Sequence, residues 1–183
     1  LTSTNHTHCV RYGSNRWSKS LVRQWLNSTA DAGAWWTPQS NYDRPIERVN
    51  TEAGFLKGIN ADFLSVIGSV KKSTAKNQTT EGGGAEILDE KIFLPSAAEV
   101  YGTNGGSEGN PYPYYSQNSS LSGAGNGADT NRIKYLGNTA EKWWLRSCHQ
   151  SSGNYMRHVT VTGAVETNNP PNSYGITPVC AVV

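Results

Sequence analysis

Clusters of positive charge are missing from this chain: no run of Lys or Arg exceeds the pair Lys71-Lys72, and the formal net charge is only +2. Binding to a phosphate backbone needs a concentrated basic footprint, so no nucleic-acid partner is expected. Long apolar runs are missing too. No stretch approaches the roughly 20 residues that cross a bilayer, so no membrane insertion is expected, and no signal-peptide pattern opens the chain. Cysteine is sparse. Cys9, Cys148 and Cys180 match no zinc spacing and no Cys-x-x-Cys motif. They read as free thiols packed as small hydrophobes, with a Cys148–Cys180 bridge as the alternative.

The usual catalytic signatures are also lacking. There is no Gly-x-Ser-x-Gly elbow and no His-Glu-x-x-His helix. Gly123-x-Gly125-x-Gly127 has neither the preceding apolar strand nor the following helix that a phosphate loop requires, and it reads as a flexible loop. His6 and His8 could share a metal on one strand face, but no third ligand accompanies them. Glu86, Asp89 and Glu90 read as a solvated turn, and His149 and His158 as exposed contact residues. Sequons at Asn5, Asn27, Asn77 and Asn118 are what chance supplies in a chain this rich in Asn, Ser and Thr. Neither a metal nor a cofactor is expected.

What remains is a chain of 183 residues, long enough for one domain spanning 1–183 with a real core. The apolar fraction is 36%, but six Trp and nine Tyr concentrate the burial, while 19 Gly mark loops. A first helix starts at Ser18 or Ser20, carries Leu21, Val22, Trp25 and Leu26 on one face, and ends at Asn27-Ser28. Ala34–Pro38 is an aromatic corner closed by proline. From Gly54 to about Val70, Phe55, Leu56, Ile59, Phe63, Leu64 and Ile67 recur at helical spacing, with Asn60 or Asp62 able to cap a restart. Lys71 to Ala85 is a loop or an edge hairpin. Ile92–Pro95 is a short buried strand, and Ser96 with Glu99 caps one helical turn. From Gly102 to Asn131 the chain has almost no apolar periodicity, and an insertion this long is usually functional or mobile. Trp143–Ser147 resumes the core, His158–Val165 alternates about Gly163, and Gly175–Val183 is a terminal strand. Helices early and short antiparallel strands late define an α+β fold.

Several of these blocks together resemble a known family. They are Tyr12–Ser18, Arg23–Ser28, Phe93–Ser96 with Glu99-Val100, Trp143-Trp144-Leu145-Arg146-Ser147, and Gly175-Ile176-x-Pro178. The chain is similar to the C-type-lectin-like domain found at the C-terminus of phage and bacterial surface proteins, including variable proteins diversified by retroelements. That resemblance implies a display scaffold: two early helices packed on short antiparallel strands, long loop insertions, and a surface that changes without unfolding the domain. It implies a chain that is the C-terminal part of a longer protein, on a virion tail or a cell surface. A protein or glycan receptor would be the partner, and a homo-oligomer such as a trimer within a fibre could multiply the contacts.

In diversified members of that family, adenines of Asn codons are mutated in the final coding segment. Ser147 to Val183 holds no Lys and no Trp, neither of which such codons yield. The expected ligand-binding residues there are His149, Ser151, Ser152, Asn154, Tyr155, Arg157, Thr160, Asn168, Asn169, Asn172 and Tyr174. Tyr and Arg would anchor while Ser and Asn adapt, as in antibody paratopes. Gln150, Met156 and Glu166 cannot come from such codons. The motifs of calcium-dependent sugar lectins are absent. Two other readings stand beside this one: a structural virion or fibre module whose polar face meets sister subunits, and a cysteine-dependent oxidase of the formylglycine-generating type using Cys148 and Cys180.

Overall fold

Ser20 opens the first helix by local chemistry alone: its hydroxyl accepts the Arg23 N–H at 3.1 Å, and helix α1 runs Leu21–Leu26. The computed structural model describes residues 14–41, 43–102, 108–116, 130–170 and 172–183. Five more short helices follow: α2 (Glu47–Thr51), α3 (Ala61–Val66), α4 (Gln78–Glu81), α5 (Ala97–Tyr101) and α6 (Pro113–Ser116). Eleven short strands complete the described chain: β1 (Ile67–Gly68), β2 (Val70–Ala75), β3 (Ala85–Glu90), β4 (Ile92–Phe93), β5 (Lys134–Leu136), β6 (Thr139–Glu141), β7 (Trp143–Cys148), β8 (Met156–Val159), β9 (Val165–Asn168), β10 (Gly175–Ile176) and β11 (Val179–Val182). The architecture is mixed α and β, with several small sheets and few, short helices.

The sheets are small because the strands are. The last strand, β11, lies between β1 and β4, antiparallel to both, so the chain end is bound to the middle of the sequence. Strands β2 and β3 form a regular hairpin from Val70↔Glu90 to Ala75↔Ala85. A four-stranded sheet has the order β10-β7-β8-β9, antiparallel except for the β10–β7 pair, which is parallel. That parallel pairing has a consequence. The chain leaves β9 at one end of the sheet and must cross its face before β10 can pair with β7.

Strand β7 is the axis of the molecule, with all six residues buried. Trp144 joins one core with Trp17, Leu26, Phe93, Leu94 and Met156, and Trp143 and Leu145 join another with Val100, Tyr101, Val159 and Val165. Between Trp144 and Cys148 the register against β8 slips. There the backbone turns to other partners: the Arg146 N–H donates to the Pro95 carbonyl at 3.0 Å, and the Ser147 hydroxyl accepts the Ala97 N–H at 2.8 Å.

This slip seats a fully buried guanidinium. Arg146 donates to the Leu94 carbonyl (2.9 Å), the Ser73 and Glu108 carbonyls (both 3.2 Å), the Thr74 hydroxyl (3.3 Å) and the Glu99 carboxylate. Glu99 also receives Lys72 at 2.9 Å, and it closes the capping box of α5 with Ser96. Burial pushes the Glu99 carboxyl up, but the bonds and charge of Arg146 outweigh this, with Lys72 and the Ser96 N–H adding to them, and hold it below the ordinary range. Glu108 reaches the same place from the long loop. Its carboxylate accepts the Ala75 N–H at 2.9 Å and the Ser147 hydroxyl, and burial raises its pKa. One buried polar knot thus joins β2, β4, α5, β7 and the loop before α6.

Several sequence expectations need correction. The helix expected over Gly54–Val70 shrinks to Ala61–Val66, started by Asn60, whose side chain accepts the Asp62 and Phe63 N–H groups. Gly54, Phe55 and Leu56 instead bond the Ala30, Trp25 and Ser28 carbonyls, and a Cβ on Gly54 would lie 2.3 Å from the Ser28 carbonyl oxygen. Phe55 and Leu56 therefore reach the core from turns, which imitates helical spacing. Phe63 is 48% exposed. The terminal strand is split into β10 and β11, and the alternation through Val161 ends at Val159 because Gly163, at φ 82°, turns the chain.

Glu86, Asp89 and Glu90 lie in β3 and are paired: with Arg16 at 2.6 Å, Lys71 at 3.0 Å and Arg23 at 2.7 Å. They are not a solvated turn. Asn77 is fully buried and caps α4, so it is no glycan acceptor. Cys148 and Cys180 are free thiols, which removes the bridge between them. Cys9, His6, His8, Asn5, Asn118 and Gly123–Gly127 lie outside the described residues. Among the described residues no helix is long and apolar enough to cross a membrane, and no group of three or more His, Cys, Asp or Glu could hold a metal ion.

Candidate functional site: the polar end of the central sheet

The β7–β8 connection, His149 to Tyr155, leaves the sheet beside the hairpin of β2 and β3. Its conformation is fixed mainly through backbone atoms. The Asn77 amide donates to the His149 carbonyl at 2.6 Å, the Gln78 N–H to the Gln150 carbonyl at 2.7 Å, and the Thr79 hydroxyl to the Ser151 carbonyl at 2.7 Å. From the other side, the buried Asn15 amide reaches the Ser152 carbonyl at 3.2 Å and the Tyr155 carbonyl at 3.4 Å. His149 closes the loop internally. Its Nδ1 accepts the Ser152 N–H at 3.0 Å and the Ser151 N–H at 3.2 Å, and its ring meets Tyr155 edge-on. An accepting Nδ1 requires the neutral ring with its proton on Nε2. Burial and the nearby Arg157 charge both lower the His149 pKa, which keeps that nitrogen free to accept.

The β9–β10 connection meets this loop at the same end of the sheet, where Asn154 donates to Asn169 at 3.1 Å. It is held differently, by side chains. The Asn168 amide donates to the Tyr174 hydroxyl at 2.7 Å, and Asn172 donates to the Asn169 carbonyl at 3.0 Å. The segment then crosses the sheet face. The Tyr174 ring lies 4.7 Å from Trp144 and 4.9 Å from His158, and Lys142 sits 5.2 Å from its centroid.

The expected contact residues are therefore brought together only in part. Ser151 and Asn172 are exposed, and His149, Ser152, Asn154, Tyr155, Arg157, Asn168, Asn169 and Tyr174 are partly buried, all at or leading away from one end of the sheet. Arg157 is partly buried and has no hydrogen bond or ion pair among the described residues. Thr160 does not belong with them. It is buried in the β8–β9 turn at the opposite end, where its hydroxyl accepts the Ala164 N–H at 3.1 Å and meets Thr162. His158, expected to be exposed, has 0% exposure beneath Tyr174.

Sequence reasoning also missed the supports. Asn15, Gln78 and Thr79 lie more than 70 residues before the loop they hold; the one local signal that could have found a neighbour is the cap pattern Asn77-Gln78-Thr79-Thr80, which in the sequence reads only as a sequon. Lys142, which lies near the Tyr174 ring, carried no signal, and Trp144 none beyond its place in the Trp143–Ser147 block.

A mixed α/β domain that gathers two polar loops at one end of a buried sheet is the class these features define. The chain belongs to the DUF6273 family, described as a domain of unknown function, whose model matches residues 2–183. No curated protein and no solved structure matches it.

Proposed function

We propose that this chain is a ligand-binding display domain of C-type-lectin-like architecture, presenting the loops His149–Tyr155 and Asn168–Tyr174, with Arg157, to a protein or glycan receptor. The observation that carries the reading is how the first loop is held. Five hydrogen bonds from four residues outside it, Asn15, Asn77, Gln78 and Thr79, fix five consecutive or near-consecutive backbone carbonyls. Backbone anchoring leaves side-chain identity at Gln150 and Ser151 free to vary without unfolding the loop. A display surface needs this property. Two short early helices, small antiparallel sheets and a last strand bound back to mid-sequence agree with the proposed architecture.

The Arg157 guanidinium and the Tyr155 ring supply anchors of the kind that dominate recognition surfaces. Retroelement diversification and a place on a virion tail or cell surface belong to the same proposal. A cysteine-dependent oxidase is the weaker reading. Burial pushes the Cys148 thiol up to about 12, so it stays protonated near neutral pH and is a poor nucleophile.

The test is a substitution library at Gln150, Ser151 and Arg157, screened on arrays of glycans and cell-surface proteins. Melting temperatures should stay within a few degrees of the parent while the bound partner changes or is lost. Binding that every member retains unchanged would reject this face as the contact surface.

A further inference from the structure

We propose that residues 172–174 form an acid-released strap, latched over His158, that dismantles half of the contact face as pH falls. The observation is an orphaned imidazole. His158 is fully buried, and neither of its ring nitrogens has a hydrogen-bond partner among the described residues. Buried polar side chains nearly always find partners, so an exception in a sheet centre calls for an explanation.

The geometry supplies one. Trp144 approaches the ring at 5.6 Å and Tyr174 at 4.9 Å, so lifting Tyr174 away would uncover the imidazole to water. Tyr174 belongs to the strap that must cross this face so that β10 can pair with β7. The charged and titratable groups facing His158 are Lys142 ahead of β7, Glu166 directly opposite on β9, and the Tyr174 phenol itself. Arg157 and Thr167 alternate to the other face of the sheet. Burial, and after it the Lys142 charge, hold the imidazole pKa below its ordinary value, while Glu166 pulls the other way without restoring it.

The closed strap therefore requires a neutral ring, whereas an opened strap lets the ring protonate at its ordinary value of about 6.5. The imidazole's contribution to closure is complete above about pH 6.5. It is lost as pH falls below that value toward the depressed value of the closed form. Opening removes the Asn168–Tyr174 bond and carries Asn172 and Tyr174 out of position, so regulation of binding rests on the proposed contact face. The opening itself does not.

Hydrogen exchange on the full chain reads the strap without any ligand. The amides of Asn172, Tyr174 and Gly175 donate to Asn169, Asn172 and Lys142 when it is closed, and the Arg146 amide, bonded to Pro95, serves as the internal reference. After correction for intrinsic rates, protection at 172–175 should fall between pH 7.5 and 5.0 by up to about thirtyfold, the ceiling for one ring that protonates only when open. Arg146 should change far less. His158→Phe should remove the pH effect. Lys142→Gln should weaken it, because the closed ring then protonates more readily.

Protection at 172–175 that changes less than about twofold overturns the strap, as does an undiminished loss in His158→Phe. Should His158→Phe fail to fold, the ring's own NMR titration in the parent chain decides: a pKa at or above the ordinary value with the strap still protected refutes it. Loss of partner binding at neutral pH in the surface library tests the contact face alone, so the two readings fail separately.

Discussion

Replacing Arg146 with Met tests whether the buried knot, more than the apolar cores, holds the segments in place. Methionine fills much of the arginine's volume but donates nothing. Glu99 would keep Lys72 and the Ser96 N–H at 2.9 Å each, while the Leu94, Ser73 and Glu108 carbonyls would each lose a donor. Breaking one side of a buried ion pair costs about 3–5 kcal/mol. In a domain of this length that corresponds to a fall of roughly 6–20 °C in melting temperature. Urea unfolding followed by tryptophan fluorescence measures it, because Trp143 and Trp144 flank the site. The double variant Arg146→Met with Glu99→Gln should lose less than the two single losses summed, by about 1 kcal/mol or more, since the charge left stranded by the first change is removed by the second. A single-variant loss below about 1 kcal/mol would refute the claim that this guanidinium organises the frame.

Glu108→Gln should stay within about 1 kcal/mol of the parent at neutral pH, whereas Glu108→Ala should lose about 2 kcal/mol or more, because an amide still accepts the Ala75 N–H and donates to Ser147. The raised Glu108 pKa gives stability that is fully present below the ordinary value of 4.5 and is lost as pH rises through the folded value, so urea titrations of Glu108→Gln should lack that decline. Glu86 and Glu99 carry the opposite sign: burial would raise both, but Arg16 and Arg146 outweigh it, so their contribution is complete above about 4.5 and is lost as pH falls through their lower folded values. Glu99→Gln should flatten the acid limb of a stability-against-pH curve measured in urea. Asn77→Ala removes the cap of α4 and the donor to the His149 carbonyl together, and should cost about 1–2 kcal/mol while faster amide exchange appears at Ser151 and Ser152.

Local features were legible in the sequence because their partners lie close by. Ser20 and Arg23 are three residues apart, as are Ser96 and Glu99; of the two caps offered for the first helix Ser20 is the one that forms, and the Ser96 cap forms as read. The Trp143–Ser147 block was recognisable as core because its apolar residues are contiguous. What makes Arg146 and Ser147 core residues was not, since their partners Glu99, Glu108 and Thr74 lie 47, 39 and 72 positions away. The Gly54–Ile59 stretch misled for a physical reason. Backbone bonds to the chain after α1 replace helical ones there, yet Phe55 and Leu56 still face inward. His158 looked exposed because it sits in a polar C-terminal region. Its burial depends on a crossing segment that only the parallel β10–β7 pairing requires.

The two halves of the candidate site differ in how much change they can absorb, and this bears on what selection could use. In His149–Tyr155 the frame grips carbonyls, which every residue type carries, so a new side chain at Ser151 leaves the grip intact. In Asn168–Tyr174 the grip is made by side chains: Asn168 on the Tyr174 hydroxyl, Tyr174 against Trp144 and His158, and Asn169 on Asn154. Changing one of those leaves its partner unsatisfied or opens space over a buried ring, at a cost on the order of 1–3 kcal/mol. A surface built for unrestricted variation would avoid such mutual dependence. Its presence over an unpartnered imidazole therefore fits a division in which the first loop sets what is recognised and the second sets when the surface is assembled.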